Sequence, residues 1–251
     1  MKIEDFSNNN RLSYASYNKR YNTANNLPLF TAEGYFGSRM DNGTASASRY
    51  IKTKNESYLT KIYRKEDKLI LKNQTFESVT IEPVFYIPII PMLLVHGNLG
   101  TSPGFKQFIM QRNPRELSQN IFNYLDDIEL DEPLPYYKGF KGTIKKSSDV
   151  SKTNQYNFTG VFERTNTTTV VITEVPILST KWGELKKNEK FLYDLKDSGK
   201  IISFKSECDT KKDGYKYTIK FRREYLSKLT DDKLIQLLGL ESTMSETLIV
   251  M

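Results

Sequence analysis

The sequence has very few of the residues that build cross-links and zinc sites. Among its 251 residues there is one cysteine, Cys208, and one histidine, His96. A single cysteine excludes an intramolecular disulfide, and the two residues together are too few for a zinc site. The low cysteine content also suits a reducing compartment, so we expect a cytoplasmic protein.

Long hydrophobic runs are missing too. The longest, at residues 85–95, is short and is interrupted by Pro88 and Pro91, so it cannot span a bilayer. The N-terminus lacks the apolar stretch of a signal peptide. The 38% of hydrophobic residues is enough for one or two ordinary cores, and the formal net charge of +7 weakly favours a polyanionic partner.

The order of the sequence patterns predicts a mixed α+β fold, because strands and helices do not alternate as they do in a parallel sheet. Residues 1–26 are polar and show no periodicity, so we expect an irregular segment there. The expected helices are 45–63, 113–127, 183–198 and 230–240. The expected strands are 68–76, a hairpin at 156–176, and two more near 200–207 and 215–223.

The helix at 113–127 has the clearest signals. Asn113 is a good N-cap, and Pro114 suits the first turn. The buried stripe of the helix is expected to be Leu117, Ile121, Phe122 and Leu125.

The stretch before this helix, 86–105, is expected to be extended, because its prolines fix the backbone, and to end in a glycine loop.

A tyrosine in a basic setting is the first candidate for chemistry. In "SASRYIKTK" (46–54), Tyr50 follows Arg49, and Lys52 and Lys54 come directly after it. The residues alone allow an ordinary strand residue, an aromatic ring that faces DNA, or a nucleophile. A phenol has a pKa of about 10, so as a nucleophile it needs a nearby base or a positive field, such as that of a guanidinium group.

Several stretches, in the correct order, resemble one family. "LPLFTAEGYFGSR" (27–39) and "ASASRYI" (45–51) resemble a glycine loop that leads into an Ala/Ser-rich run ending in Arg-Tyr. Four more stretches resemble, in the same order, later parts of that family's sequences. They are "FYIPIIPMLLVHGNLGTSPGF" (85–105), "NPREL" (113–117), "EPLPYYKGFKGTI" (132–144) and "VVITEVPILSTKW" (170–182). From about residue 25 onward, the chain therefore resembles the type IIA DNA topoisomerases, and most of all the separate DNA-cleavage subunit of T-even bacteriophages.

The resemblance implies a fold and its boundaries. Residues 27–98 would be the remnant of a winged-helix (CAP-like) domain that carries the active-site tyrosine, and residues 99–251 would be a mixed α/β tower domain. The family's helix-turn-helix part would precede residue 25 and its coiled coil would follow residue 251, but neither pattern is present. The chain would then be the middle part of a DNA-cleavage polypeptide, as a split-gene product, a natural truncation or an incomplete sequence.

The resemblance also implies the chemistry. Tyr50 matches the tyrosine whose oxygen attacks a DNA phosphodiester and forms a 5′-phosphotyrosyl intermediate, and Arg49 matches the arginine beside it. Mg²⁺ would be held by a partner domain and ATP used by a partner subunit. We therefore expect a TOPRIM/ATPase partner and a homodimeric cleavage core on double-stranded DNA, in the host cytoplasm if the protein is viral. The acidic pairs at 126–127 and 231–232 lie at predicted helix ends, so no metal site is assigned to this chain.

Six further residues are candidate DNA contacts, and each has a structural alternative. The lysines would bind phosphates or simply lie on a solvated face. The arginine would contact DNA or brace its loop through an ion pair. The isoleucine matches the family's wedge between base pairs, and without the resemblance it would be a core residue. The six are Arg39, Lys52, Lys54, Ile109, Lys138 and Lys141.

Other residues and other functions stay open at this point. His96 is expected to be structural or close to DNA, and Trp182 to be a packing residue. Glu33 replaces the glutamine typical of the family's glycine loop and places a negative charge near the expected DNA. Two alternative functions are a DNA-binding or assembly module that has lost the chemistry, and a binder of single-stranded nucleic acid that stacks bases on Tyr and Phe.

Overall fold

The computed structural model describes residues 25–40, 45–102, 104–147, 154–209 and 214–248, so the predicted irregular segment 1–26 lies almost wholly outside it. None of the helices in these ranges is long and apolar enough to cross a membrane. The helices of the described part are α1 (Leu59–Ile62), α2 (Met92–His96), α3 (Pro114–Leu125), α4 (Leu185–Asp197), α5 (Arg223–Lys228) and α6 (Asp231–Leu238), and 3-10 turns occupy Ser48–Tyr50 and Lys65–Leu69.

The strands form several small sheets rather than one large one. Two are hairpins, β1–β2 and β3–β4, one has three strands in the order β11-β6-β5, and one has four in the order β7-β8-β10-β9. Every pairing between these strands is antiparallel, which confirms the mixed α+β prediction. In the described ranges the strands are β1 (Asn73–Phe76), β2 (Val79–Pro83), β3 (Asn98–Ser102), β4 (Phe105–Ile109), β5 (Thr143–Lys146), β6 (Gln155–Thr159), β7 (Val161–Asn166), β8 (Thr169–Glu174), β9 (Ser203–Ser206), β10 (Tyr217–Lys220) and β11 (Glu241–Ser245).

The larger hydrophobic core lies on the four-stranded sheet. Side chains of a strand alternate between the two faces, and Tyr217 and Ile219 of β10 both point inward and are fully buried. Helices α4 and α6 cover them with residues that include Leu192 and Leu238. Trp182 is buried beside them and donates its indole N–H to the Leu238 carbonyl at 2.8 Å, which confirms its packing role.

A second, smaller core lies against the three-stranded sheet, where Tyr156 of β6 packs with Phe108 of β4. Beside it, Arg112 and Glu246 form an ion pair with 2.6 Å between Nη2 and Oε2, and their side chains are only 8% and 1% exposed. Next to Glu246, Thr247 pairs with Phe108 through backbone hydrogen bonds. The last described residues are thereby fastened to β4.

The predicted helix at 45–63 is wrong. The chain there forms the turn Ser48–Tyr50, then an extended stretch, and only then the four-residue helix α1. The extended stretch pairs with residues 30–33 through the antiparallel bridges Phe30↔Asn55 and Glu33↔Lys52. Helix propensity is a weak local preference, and these long-range hydrogen bonds override it.

Two further boundaries differ from the patterns. The predicted strand 68–76 is confirmed only at β1, because the turn Lys65–Leu69 takes its first residues. The stretch 86–105 is extended only as far as Pro91, which caps the unpredicted helix α2. Proline suits a helix start because its φ is already fixed, and Gly97 ends the helix with a positive φ of 66°.

Helix α3 begins where predicted, and the Asn113 side chain accepts a hydrogen bond from the Arg115 N–H at 3.0 Å. Its predicted buried stripe is largely wrong. Leu117 is 3% exposed, but Phe122 and Leu125 are 61% and 69% exposed. An apolar stripe is buried only where a second surface covers it, and Phe122 instead lines an open cleft.

The hairpin predicted at 156–176 is confirmed for β7 and β8 but wrong for its first residues, since β6 belongs to the three-stranded sheet. The chain passes from one sheet to the other at Gly160. A Cβ at that position would lie 2.5 Å from the Glu174 carbonyl oxygen, so glycine permits the close approach of the two segments.

Candidate functional site

Tyr50 lies on an exposed turn at the end of the glycine loop. The turn is closed by a hydrogen bond from the Tyr50 N–H to the Ala47 carbonyl at 2.8 Å. The Tyr50 side chain is 67% exposed, and the guanidinium carbon of Arg49 lies 5.0 Å from the centre of its ring. The Tyr50 ring is thus largely open to solvent and lies beside a permanent positive charge.

A short ladder of backbone hydrogen bonds positions this turn. Glu33 and Lys52 exchange N–H···O bonds of 2.9 and 2.8 Å, and the Thr31 N–H donates to the Lys54 carbonyl at 2.8 Å. Gly34 allows the tight approach beside it: its φ is 101°, and an added Cβ would lie 2.8 Å from the Tyr50 carbonyl oxygen. The turn is therefore held by backbone contacts on its C-terminal side.

The side chains next to the turn are charged. Lys52 is exposed. The Lys54 ammonium lies 2.8 Å from the Glu33 carboxylate, with the two side chains 74% and 45% exposed. The hydrogen bond and the opposite charge of Lys54 lower the pKa of Glu33, and those of Glu33 raise the pKa of Lys54. Both groups therefore stay ionised at neutral pH.

Arg39 lies in the same glycine loop but faces the protein. Its guanidinium donates to the Glu174 carboxylate at 3.0 Å, and its side chain is 10% exposed. It also lies over the rings of Phe140 and Tyr215, at 5.8 and 5.0 Å from their centres. The bracing ion pair is therefore present, and a contact of Arg39 with DNA stays a prediction.

Glu174 also brings a second candidate close to Arg39. Its other carboxylate oxygen accepts a hydrogen bond from the backbone N–H of Lys141 at 3.2 Å, while the Lys141 side chain is exposed. The neighbouring Met40 is 1% exposed, belongs to the larger core, and accepts a hydrogen bond from the Leu185 N–H at 2.8 Å. The loop that leads to Tyr50 is therefore anchored to the four-stranded sheet.

Lys138 and Ile109 belong to other segments of the chain than the Tyr50 turn. Lys138 is exposed, and its backbone N–H donates to the Asn26 side chain at 2.8 Å. Ile109 ends β4 and is 2% exposed, so in this conformation it is a core residue. A role as a wedge between base pairs stays a prediction, and it requires this side chain to become accessible.

His96 has a structural contact, as expected. Its Nε2 lies 2.8 Å from the Leu27 carbonyl oxygen. Burial disfavours the charged imidazolium and lowers the pKa of His96, while the contact with Leu27 has a smaller effect that raises it. Within the described residues, no three acidic, histidine or cysteine side chains converge to hold a metal ion.

Two residues that organise the site were missed in the sequence. Glu174 joins Arg39 and the segment at Lys141, and a carboxylate inside the apolar strand "VVITEV" is a signal of a buried partner. Asn26 joins three carbonyls and the Lys138 N–H through its side chain. Asn26 lies in a polar stretch, so no pattern distinguished it from its neighbours.

An open cleft of about 410 Å³ lies between α1 and α3. Its apolar walls include Ile62, Ile89 and Phe122. None of the described residues that line it carries a carboxylate, thiol or imidazole, so we assign it no chemistry.

Comparison with known proteins yields one family. The model of the family of A-type subunits of DNA gyrase and topoisomerase IV matches residues 17–251. DNA topoisomerase 2 of Arabidopsis thaliana is 39% identical over 181 residues, which are 71% of this chain and 12% of that protein. DNA topoisomerase 2 of Plasmodium falciparum is 34% identical over 226 residues, 89% of this chain and 16% of that protein. The chain thus spans less than a fifth of the length of these relatives.

A solved structure agrees with the sequence matches. It is the DNA-binding, cleavage and re-ligation domain of Plasmodium falciparum topoisomerase II, and it is similar with a TM-score of 0.79 and 32% identity. The match covers 92% of this chain and 31% of that one. The likeness therefore extends over nearly the whole fold described above.

Proposed function

The chain belongs to the family of A-type subunits of DNA gyrase and topoisomerase IV, and from that premise we propose that it cleaves and rejoins duplex DNA through Tyr50, as part of an ATP-dependent type II topoisomerase. The observation that carries the proposal is the exposed Tyr50 phenol beside the Arg49 guanidinium. This is a nucleophile and a cation at one accessible point of the surface.

The proposed reaction is a reversible transesterification. The Tyr50 oxygen gives up its proton and attacks a backbone phosphorus, and the bond from phosphorus to the 3′ oxygen breaks. That oxygen takes up a proton and leaves as a hydroxyl, while the 5′ phosphate stays on the tyrosine. The reverse attack by the 3′ hydroxyl restores the DNA, and it needs no energy input because one phosphoester bond replaces another.

Arg49 has two roles in this proposal. Its guanidinium stabilises the phenolate before the attack, and it stabilises the charge that develops on the phosphoryl oxygens during it. Lys52 is exposed two residues further on and would bind a neighbouring phosphate, as would Lys138 and Lys141 elsewhere on the surface.

Mg²⁺ and ATP would come from partners. When bound nearby, Mg²⁺ assists the departure of the 3′ oxygen. The described residues offer no set of metal ligands, so no step is assigned to a metal site of this chain. We propose that the ion is held by a TOPRIM domain, that an ATPase domain drives strand passage, and that two copies of the cleavage core work together.

The finer fold assignments belong to the same proposal. Residues 27–98, which contain α1 and the β1–β2 hairpin, would be the winged-helix remnant, and residues 99–251, with both larger sheets, the tower. A particular similarity to the DNA-cleavage subunit of T-even bacteriophages stays a prediction. Action in the cytoplasm, the host cytoplasm in the viral case, is a prediction as well.

The test is a covalent adduct. The chain is combined with polypeptides that supply the TOPRIM and ATPase domains, Mg²⁺ and a 3′-labelled duplex, so that the label stays on the fragment that Tyr50 holds, and the reaction is stopped with detergent. We expect a protein–DNA adduct with the wild type and with Tyr124→Phe, a matched tyrosine that is 70% exposed. We expect none with Tyr50→Phe, while its affinity for the duplex is unchanged. An adduct that survives in Tyr50→Phe would contradict the assignment. DNA binding without any adduct would favour the non-catalytic module.

A further inference from the structure

Glu33 is placed to control a lysine beside the reactive turn. In the ladder it directly faces Lys52, and Lys54 is the next residue on the same face, because strand side chains alternate. Diagonal neighbours of this kind are within reach of long side chains. The Glu33 carboxylate accordingly lies 2.8 Å from the Lys54 ammonium.

We propose that Glu33 lowers the affinity of the Tyr50 turn for DNA by holding the ammonium group of Lys54, so that a phosphate must displace a carboxylate before Lys54 binds DNA. The inference rests on the proposed function, and it names Glu33 and Lys54 as residues that set how tightly the cleavage site holds its substrate.

The pair is weak enough to be displaced. Both side chains are largely in solvent, at 74% and 45% exposure, and ion pairs in such places contribute little to stability. A duplex offers a dense row of phosphates, and each contact with a lysine releases a counterion from the DNA. The carboxylate therefore competes with DNA without blocking it.

The pair is not needed to place Tyr50. The segments that carry Glu33 and Lys54 are joined by backbone hydrogen bonds of 2.8 and 2.9 Å, which no side-chain substitution removes. Gly34 packs against the backbone of the turn. A change of Glu33 to glutamine thus alters the charge and leaves the ladder in place, which separates an electrostatic role from a structural one.

The test measures DNA affinity against salt concentration. Fluorescence anisotropy with a short labelled duplex gives the dissociation constant of the full chain between about 0.05 and 0.2 M salt. For Glu33→Gln we expect binding about three to ten times tighter at the low end of this range, and a salt slope steeper by about 0.9, the value for one added phosphate contact. For Glu207→Gln, which removes the two exposed ion pairs with Lys205 and Lys216, we expect no change in the slope.

A second pair of variants tests whether Glu33 acts through Lys54. In the wild-type background we expect Lys54→Gln to weaken DNA binding little, because the Lys54 ammonium is already paired with Glu33. In the Glu33→Gln background we expect the same substitution to weaken binding clearly more. An unchanged affinity and slope in Glu33→Gln would overturn the proposal. So would equal tightening by Glu33→Gln with and without Lys54, because the carboxylate would then simply repel DNA.

The two proposals fail separately. If the Tyr50 adduct forms but Glu33→Gln leaves the slope unchanged, the cleavage function stands and the inference about Glu33 is wrong. If no adduct forms in the complete mixture but the slope steepens as expected, Glu33 still controls DNA binding and the chemistry is wrong.

Discussion

The buried ion pair between Arg112 and Glu246 makes a sharp prediction about stability. Glu246 accepts hydrogen bonds from the Met110 N–H at 2.6 Å and from both terminal nitrogens of Arg112, at 3.1 and 2.6 Å. In Glu246→Gln the amide oxygen still accepts from Met110, so the shape is kept, but the guanidinium of Arg112 loses its counter-charge while it is only 8% exposed.

The expected cost follows from that uncompensated charge. Removing one partner of a buried pair costs about 3 to 5 kcal/mol. Arg112 keeps its hydrogen bond to the Met110 carbonyl and its position over the Tyr156 ring, so we expect the lower end, about 3 kcal/mol. That is a large part of a typical unfolding free energy of about 5 to 15 kcal/mol.

Urea unfolding measures this difference. Trp182 is the only tryptophan and is buried in the larger core, so its fluorescence reports unfolding, and far-ultraviolet circular dichroism serves as a second probe. The exposed-pair variant Glu207→Gln is the control, with an unchanged midpoint. The double variant Arg112→Met/Glu246→Gln should recover most of the loss, because no charge remains buried. A loss below about 1 kcal/mol in Glu246→Gln, or a double variant as unstable as the single one, would refute the reasoning.

Two further predictions concern the pH and the glycine loop. Burial lowers the folded pKa of His96 below its ordinary value of 6.5, so the unfolded chain binds more protons and stability falls as the pH drops through 6.5 toward the folded value. His96→Asn should remove this decline, seen as a smaller change in urea midpoint between about pH 7.5 and 5.5, and an equal decline in both proteins would exclude His96 as its source. Gly34→Ala should lower the yield of the covalent adduct at least about tenfold, because the added Cβ displaces the Tyr50 turn, whereas Gly139→Ala has a similar positive φ of 84° with open space around it and should keep the yield. Equal losses in both glycine variants would show that strain at a positive φ, rather than contact with Tyr50, is responsible.

Local signals predicted the parts of the fold that depend on local physics. Helix α3 begins at its predicted cap, and α6 begins after Thr230, whose hydroxyl accepts from the Lys233 N–H. Helix α4 also lies within its predicted range, 183–198, and buries Leu192 and Leu195. Capping and amphipathic spacing are properties of a few adjacent residues, so a single sequence contains them.

The predictions that were wrong or missing concern contacts between residues that are distant in the sequence. The segment after Tyr50 has apolar residues at helical spacing, but it pairs with residues 30–33 instead. The partner of Arg39 is Glu174, 135 residues away, and no local pattern contains such a contact. Tyr50 itself was singled out by the resemblance of whole motifs, since its exposure on a turn beside Arg49 depends on how the loop folds.

The anchoring of Met40 makes the two halves of the chain interdependent. Its side chain lies in the core built by the second half, and its carbonyl receives the first N–H of α4, although it belongs to the loop that carries Tyr50. Separating residues 27–98 from the remainder would therefore remove the hydrophobic core in which Met40 of that loop is buried. Damage to the packing around Trp182 would therefore loosen the anchor of that loop at Met40, although no atom of the reactive turn had been altered.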